Sequence, residues 1–232
     1  MAELYVFPYQ WILDSISRES ACNILSSVDY EKYNRYRFIE DKDRFLAARV
    51  FLFAWFKKAD LIQDTFLSLD YSPLGKPSID AQINFNWSHS GEMIALYVDY
   101  EECGIDVEWI HEQTHLDYSS LCTPLEKKWL EKQSLHSGET EIKWFYSLWT
   151  AKESVLKAKG LGLSEDPRYT EIKHEENHPN KWKCGTNECL YGTSNFLKYN
   201  DKYYAFSWCS PQIKTLKPII DMYTVKNFSI YI

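Results

Sequence analysis

The chain has 232 residues, of which 45% are hydrophobic, 25% charged and 16% aromatic. That is enough for one large domain or two small ones without disulfide staples, and it excludes disordered and collagen-like chains. The 26 Lys and Arg face 33 Asp and Glu, a net of −7, which speaks against nonspecific nucleic-acid binding.

No apolar run approaches the ~20 residues of a membrane span. Met1-Ala2-Glu3-Leu4 lacks the basic and apolar stretches of a signal peptide. The six cysteines are scattered, with no CxxC, as expected of reduced thiols. A cytoplasmic protein with no membrane and no nucleic-acid partner is expected.

In chain order, Leu4–Phe7 reads as a short strand, and Ser17 opens a helix to about Leu25. Asp43–Lys58 is the clearest helix of the first half, apolar nearly all round and so expected between layers. Phe66–Leu69 is a strand candidate, and Tyr71–Pro77 a turn by its Pro and Gly. Ile83–Trp87 alternates as a strand does, and Ser88-His89-Ser90-Gly91 is expected to break it. Met93–Val98 and Cys103–Trp109 complete an expected antiparallel meander. Thr123-Pro124-Leu125-Glu126 is a capping box that opens a helix to about Gln133. A longer helix, Glu139–Lys159, is expected to end at Gly160. Short strands follow at 169–173, 189–191, 203–208 and 218–223. The boundary between the halves falls near 110–122.

Three segments carry polar groups that could do chemistry. In Gly104-Ile105-Asp106-Val107-Glu108, residues i and i+2 of a strand share a face, so Asp106 and Glu108 present two carboxylates side by side. They repel unless a cation lies between them, and oxygen ligands suit a hard ion; two solvated acids at a strand end is the plainer alternative. In Trp149-Thr150-Ala151-Lys152-Glu153-Ser154-Val155-Leu156-Lys157, Glu153 and Lys157 share a helix face, either as a surface ion pair or at the edge of a groove. Ser88-His89-Ser90 and Gly75-Lys76-Pro77 offer polar and cationic groups suited to phosphate. Lys32, Arg35, Arg37, Arg44 and Arg49 could hold more phosphate or form a solvated helix face.

Taken in order, G-K-P, W-S-H-S, G-I-D-V-E and W-x-x-K-E-S-x-x-K-x-x-G-x-G-L resemble the 4′-phosphopantetheinyl transferases, in particular the roughly 230-residue surfactin-synthetase-activating type. The resemblance covers about residues 29–163. It implies an α+β fold of two similar subdomains related by a pseudo-twofold, 1–110 and 111–232, with the active site in the cleft between them. It implies transfer of 4′-phosphopantetheine from coenzyme A to a serine of an apo acyl or peptidyl carrier protein, with 3′,5′-ADP as the other product, by a monomer. Asp106, Glu108 and Glu153 are then the ligands of Mg²⁺, or alternatively Mn²⁺. Glu153 and Lys157 are catalytic, Glu153 as proton acceptor and Lys157 to stabilise the pyrophosphate or protonate the leaving group. Lys32, Arg35, Arg44, Lys76, Ser88, His89, Lys152 and Lys157 bind the coenzyme. Leu116–Leu125 is a candidate carrier-docking stretch by its position. One alternative is a noncatalytic module that binds coenzyme A or a carrier protein. A zinc hydrolase built on His111-Glu112-x-x-His115 is another.

Overall fold

A computed structural model describes residues 2–111, 118–162, 165–186 and 189–227. The first half runs β1 (Glu3–Pro8), α1 (Gln10–Leu13), α2 (Arg18–Asn23), α3 (Ser27–Arg35), α4 (Ile39–Lys58), β2 (Asp70–Tyr71), β3 (Pro77–Ser78), β4 (Asn84–Ser90), β5 (Met93–Asp99) and β6 (Gly104–Trp109). The second half runs α5 (Pro124–Ser137), α6 (Glu141–Lys159), β7 (Ile172–Glu175), β8 (His178–Cys184), β9 (Leu190–Tyr199), β10 (Lys202–Ser210) and α7 (Met222–Asn227). Helices and strands share the chain as the α+β expectation requires.

Two sheets form the body. One has the order β1-β5-β4, the other β6-β10-β9-β8-β7, and all pairs are antiparallel. Side chains alternate along β1 and β5. Tyr5, Phe7, Ile94, Leu96 and Val98 join α4 in one buried cluster. Leu4, Val6, Met93, Ala95 and Tyr97 turn the other way and meet Ile105, Val107, Tyr204 and Phe206 of β6 and β10. The opposite face of the second sheet packs on α5 and α6 through Leu148, Ala151, Val155 and Ala205. The resulting layers are helix, sheet, sheet, helix, so β1 and β5 are apolar on both faces because protein covers both.

Several expected elements differ. The meander stops at β5: β6 pairs with β10 instead, and Ile105 and Val107 lie buried in the cluster between the two sheets. The Ser88-His89-Ser90 segment does not break β4, because a backbone ladder to Ala95, Ile94 and Met93 continues through it. Phe66–Leu69 makes only an isolated bridge from Leu67 to Leu25. In 218–223, Ile219 alone bridges β1, exchanging backbone hydrogen bonds with Leu4 and Val6, before α7 buries Val225 in the first cluster.

Gly104 is needed where β6 starts under α6. A Cβ there would lie 1.9 Å from the Ser154 carbonyl oxygen and 2.8 Å from the Ala158 nitrogen. Both are helix backbone and cannot rotate away. Gly104→Ala is expected to cost about 3 kcal/mol, read as a lowered urea midpoint. His174 of β7 stacks on Trp129 of α5 at 3.6 Å between ring centroids. Its Nδ1–H donates to the Pro179 carbonyl, while Nε2 is buried with no hydrogen-bond partner among the described residues. Burial lowers its pKa from 6.5 to about 3. The unfolded chain therefore binds a proton that the folded chain refuses, and stability falls as pH drops from 6.5 towards 3. His174→Phe is expected to flatten that acid limb in denaturation measured across the interval.

Candidate active site

The expected acids and bases converge where β4, β6 and α6 meet. β4 and β6 belong to different sheets but run side by side, joined by side chains from alternate residues of β4. Asn86 Oδ1 accepts from the Ile105 amide at 3.2 Å. Ser88 Oγ donates to Asp106 Oδ1 at 2.7 Å. Ser90 Oγ donates to Glu108 Oε2 at 2.7 Å and accepts from the Trp109 amide at 3.0 Å. The opposite face of β6 carries Ile105 and Val107 into the core, so Asp106 and Glu108 are left to face α6.

From α6, Lys157 Nζ donates to Asp106 Oδ1 at 2.6 Å and to Ser88 Oγ at 2.8 Å. Glu153, one turn back, is buried at 8% exposure, and among the described residues neither its Oε1 nor Asp106 Oδ2 has a hydrogen-bond partner. Glu153 and Glu108 are each pushed up to about 7, first by burial and then by repulsion from Asp106. Three carboxylates against one ammonium leave an excess of negative charge at neutral pH. Among the described residues no three acidic, imidazole or thiol groups form a finished metal cage. The ammonium of Lys157 holds Asp106 instead. Even so, two orphaned carboxylate oxygens in a desolvated acidic cluster are the donor chemistry of a hard cation, which takes only a few protein ligands.

A cavity of about 220 Å³ adjoins this cluster, lined among others by Lys76, Pro77, Trp87, Lys157, Gly160 and Gly162. Gly160 ends α6 at φ +67° and Gly162 follows at φ +59°, the left-handed region where glycine carries no steric penalty. Lys76 bonds the Ala158 carbonyl at the end of α6, where a cation meets the negative pole of the helix. His89 projects to solvent at the end of β4. Neighbouring protein and then the charges of Arg44 and Lys157 lower its pKa below the ordinary imidazole value. Arg44 pairs with Asp41 and donates to the Gly91 carbonyl at 3.0 Å, beside that ring.

Other expected residues lie elsewhere. Lys152 is a correction: it is 1% exposed and its ammonium meets Glu126 Oε1 at 2.7 Å, the Pro167 carbonyl at 2.9 Å and the Thr170 carbonyl at 2.8 Å. Its three donors are used, and none is left for phosphate. Arg49, 2% exposed, is paired with Asp29 at 2.8 Å and lies over the Phe45 and Trp87 rings, so it too is structural. Arg35 is exposed and pairs with Glu31 on its own helix. Lys32 is exposed, over the Phe45 ring. Glu112 to Asp117, and with them most of the His111-Glu112-x-x-His115 pattern and the start of the expected docking stretch, lie outside the described residues, as does Leu163. Sequence reasoning missed two residues. Ser90 is read from the sequence only as a polar group suited to phosphate at a strand break, not as the partner of Glu108. Glu126 was read as a cap alone, yet it also accepts from the Ile172 amide and holds Lys152.

Comparison with known proteins points the same way. Residues 102–209, from the approach to β6 to the end of β10, match the model of the 4′-phosphopantetheinyl transferase superfamily. A putative 4′-phosphopantetheinyl transferase of Synechocystis is 29% identical over 84% of this chain and 83% of its own length. A 4′-phosphopantetheinyl transferase of Bacillus subtilis is 32% identical over 60% of this chain, which spans less than two thirds, 62%, of that relative. The 4′-phosphopantetheinyl transferase Sfp of Bacillus subtilis is 25% identical over 66% of this chain and 67% of its own.

An acid-lined cleft beside a lysine-bearing helix is an arrangement compatible with phosphoryl transfer. The chain is similar to the 4′-phosphopantetheinyl transferase superfamily over residues 102–209, and to proteins named 4′-phosphopantetheinyl transferases over longer stretches. Among the described residues no helix is long and apolar enough to cross a membrane.

The two lysines of α6 can be told apart by stability. Lys152→Ala leaves Glu126 buried without its cation and is expected to cost about 3–5 kcal/mol in urea unfolding. Lys157→Ala removes a partly exposed ammonium and is expected to cost less than half of that while lowering activity.

Proposed function

We propose that the protein transfers 4′-phosphopantetheine from coenzyme A to a serine hydroxyl of an apo acyl or peptidyl carrier protein, with Mg²⁺ or Mn²⁺ as the working ion. The observation that carries this reading is the desolvated carboxylate cluster, with Asp106 Oδ2 and Glu153 Oε1 unpaired beside Lys157. Asp106, Glu108 and Glu153 would hold the ion. When bound, it would supply positive charge to the pyrophosphate of the coenzyme, the Lewis-acid role of metals in phosphoryl transfer.

The chain's own groups account for the remaining chemistry. In the transfer, the serine oxygen forms a bond to the phosphorus that bears pantetheine. The bond from that phosphorus to the pyrophosphate bridging oxygen breaks, and 3′,5′-ADP leaves with the electron pair. Glu153, a buried carboxylate whose Oε1 has no hydrogen-bond partner among the described residues, takes the serine proton. Lys157 neutralises charge that develops on the departing phosphate. Lys76 lies on the nucleotide side of the cleft and can turn from the Ala158 carbonyl to a phosphate. His89 and Arg44 together suit the remaining phosphate, since a dianion would favour the imidazolium that desolvation and then the charges of Arg44 and Lys157 disfavour. Lys32 and Arg35 are exposed on α3, where they could meet the same anion without leaving strong partners. Ser88 serves through Asp106 and Lys157, to which it is already bonded. Residues 1–110 and 111–232 divide the work in this reading, the first supplying the nucleotide contacts and the acids of β6, the second supplying α6.

Incubation of an apo carrier domain with the protein, coenzyme A and Mg²⁺ is expected to add one phosphopantetheine mass to the carrier, and EDTA to abolish the gain. Asp106→Ala and Glu153→Gln are each expected to reduce the rate by at least about a hundredfold while the protein stays folded. Wild-type rates in both variants would overturn the assignment of the acids. No mass gain on any carrier class would overturn the reaction.

A further inference from the structure

We propose that Ser90 is a positioning residue that holds the Glu108 carboxylate for the divalent ion, an inference that rests on the metal reading above. Ser90 stands on β4, Glu108 on β6, and these two strands share no backbone ladder. The aim of the Glu108 side chain is therefore not set by strand pairing with the neighbour that faces it. The serine hydroxyl supplies what pairing does not. Its oxygen accepts from the Trp109 amide at 3.0 Å, a backbone donor that cannot rotate. With its lone pair so engaged, the hydroxyl proton is directed at Glu108 Oε2, 2.7 Å away. One hydroxyl thus ties the carboxylate to the backbone of the residue that follows it.

The same device recurs two residues earlier. Ser88 donates to Asp106 at 2.7 Å, and its oxygen accepts from Lys157 at 2.8 Å. There a mobile ammonium takes the place of the fixed amide. Glu108 has no such ammonium, so its placement depends on Ser90 more than that of Asp106 depends on Ser88. A hydrogen bond of this kind fixes the rotamer of a ligand before the ion arrives, and loss of such partners typically weakens metal affinity about 10- to 100-fold. Only a short side chain that both donates and accepts fits between a strand amide and a carboxylate. Threonine retains both functions, alanine neither, and cysteine keeps the volume while donating weakly.

The test is Mn²⁺ titration of the full chain without coenzyme A, read from the electron paramagnetic resonance signal of the free ion, with the melting temperature measured in parallel. Ser90→Ala is expected to bind Mn²⁺ at least about tenfold more weakly, with Ser90→Thr within about threefold of wild type. Raising Mg²⁺ is expected to recover transfer in Ser90→Ala, since the acids themselves remain. Should Ser90→Ala fail to fold, Ser90→Cys is expected to show the same loss of affinity. Unchanged Mn²⁺ affinity in the alanine or cysteine variant, with or without a lower melting temperature, would overturn the positioning role and leave the metal reading intact. No Mn²⁺ binding by the wild-type protein would overturn the metal reading, and this role with it.

Discussion

The approach of β6 to α6, and of β4 to β6, is the constraint on which the site depends. Gly104 lets the helix backbone lie directly on the start of the strand. Any side chain there would lift α6 away and carry Glu153 and Lys157 with it. On the other side, three residues of β4 reach β6 through side chains alone. Two sheets and one helix are thereby brought within hydrogen-bond distance at a place where no backbone ladder could join them. Asp106 and Glu108 occupy this seam because their strand has one apolar face for the core and one face left over.

Burial then sets the electrostatics. Ion pairs between exposed groups contribute little, but each charge in the seam is partly or wholly removed from water. α6 shows two outcomes five residues apart. Lys152 faces into the second half, finds Glu126 and two carbonyls, and has no donor left. Lys157 faces the cleft and shares itself between Asp106 and Ser88, at 28% side-chain exposure. A buried ammonium with every donor used serves the fold. One at a cleft edge, bound to a carboxylate that still has a free oxygen, can change partners. The raised pKa values of Glu108 and Glu153 have the same origin, since desolvation and repulsion from Asp106 are only partly offset by Lys157.

The C-terminal segment ties the layers together. After β10, Lys214 pairs with Asp99 and Glu101 at the end of β5. Ile219 then extends the β1 edge, and Val225 enters the core of the first half. At one point on the β1 edge, two backbone hydrogen bonds to Ile219 occupy groups of Leu4 and Val6 that would otherwise be open to another strand. This segment carries no motif, and its contribution is to hold the half that bears β4 against the half that bears α6.

Much of this was legible in the sequence. The i, i+2 spacing of Asp106 and Glu108 and the i, i+4 spacing of Glu153 and Lys157 are properties of strand and helix geometry, and both pairs do share a face. The Thr123–Glu126 capping box and the Gly160 cap are local hydrogen-bond chemistry, and they form where their residues stand. The pairing of β6 with β10, about a hundred residues on, could not be read, because strand partners are chosen by which apolar faces fit together. For the same reason Ser88-His89-Ser90 looked like a break: its polar side chains are tolerated because β6 and the cleft receive them. Local sequence determined which groups face the same way, since that follows from backbone periods of two and 3.6 residues. Tertiary structure alone decided which lysine reaches the cleft, because only packing determines which buried charge already has its partners.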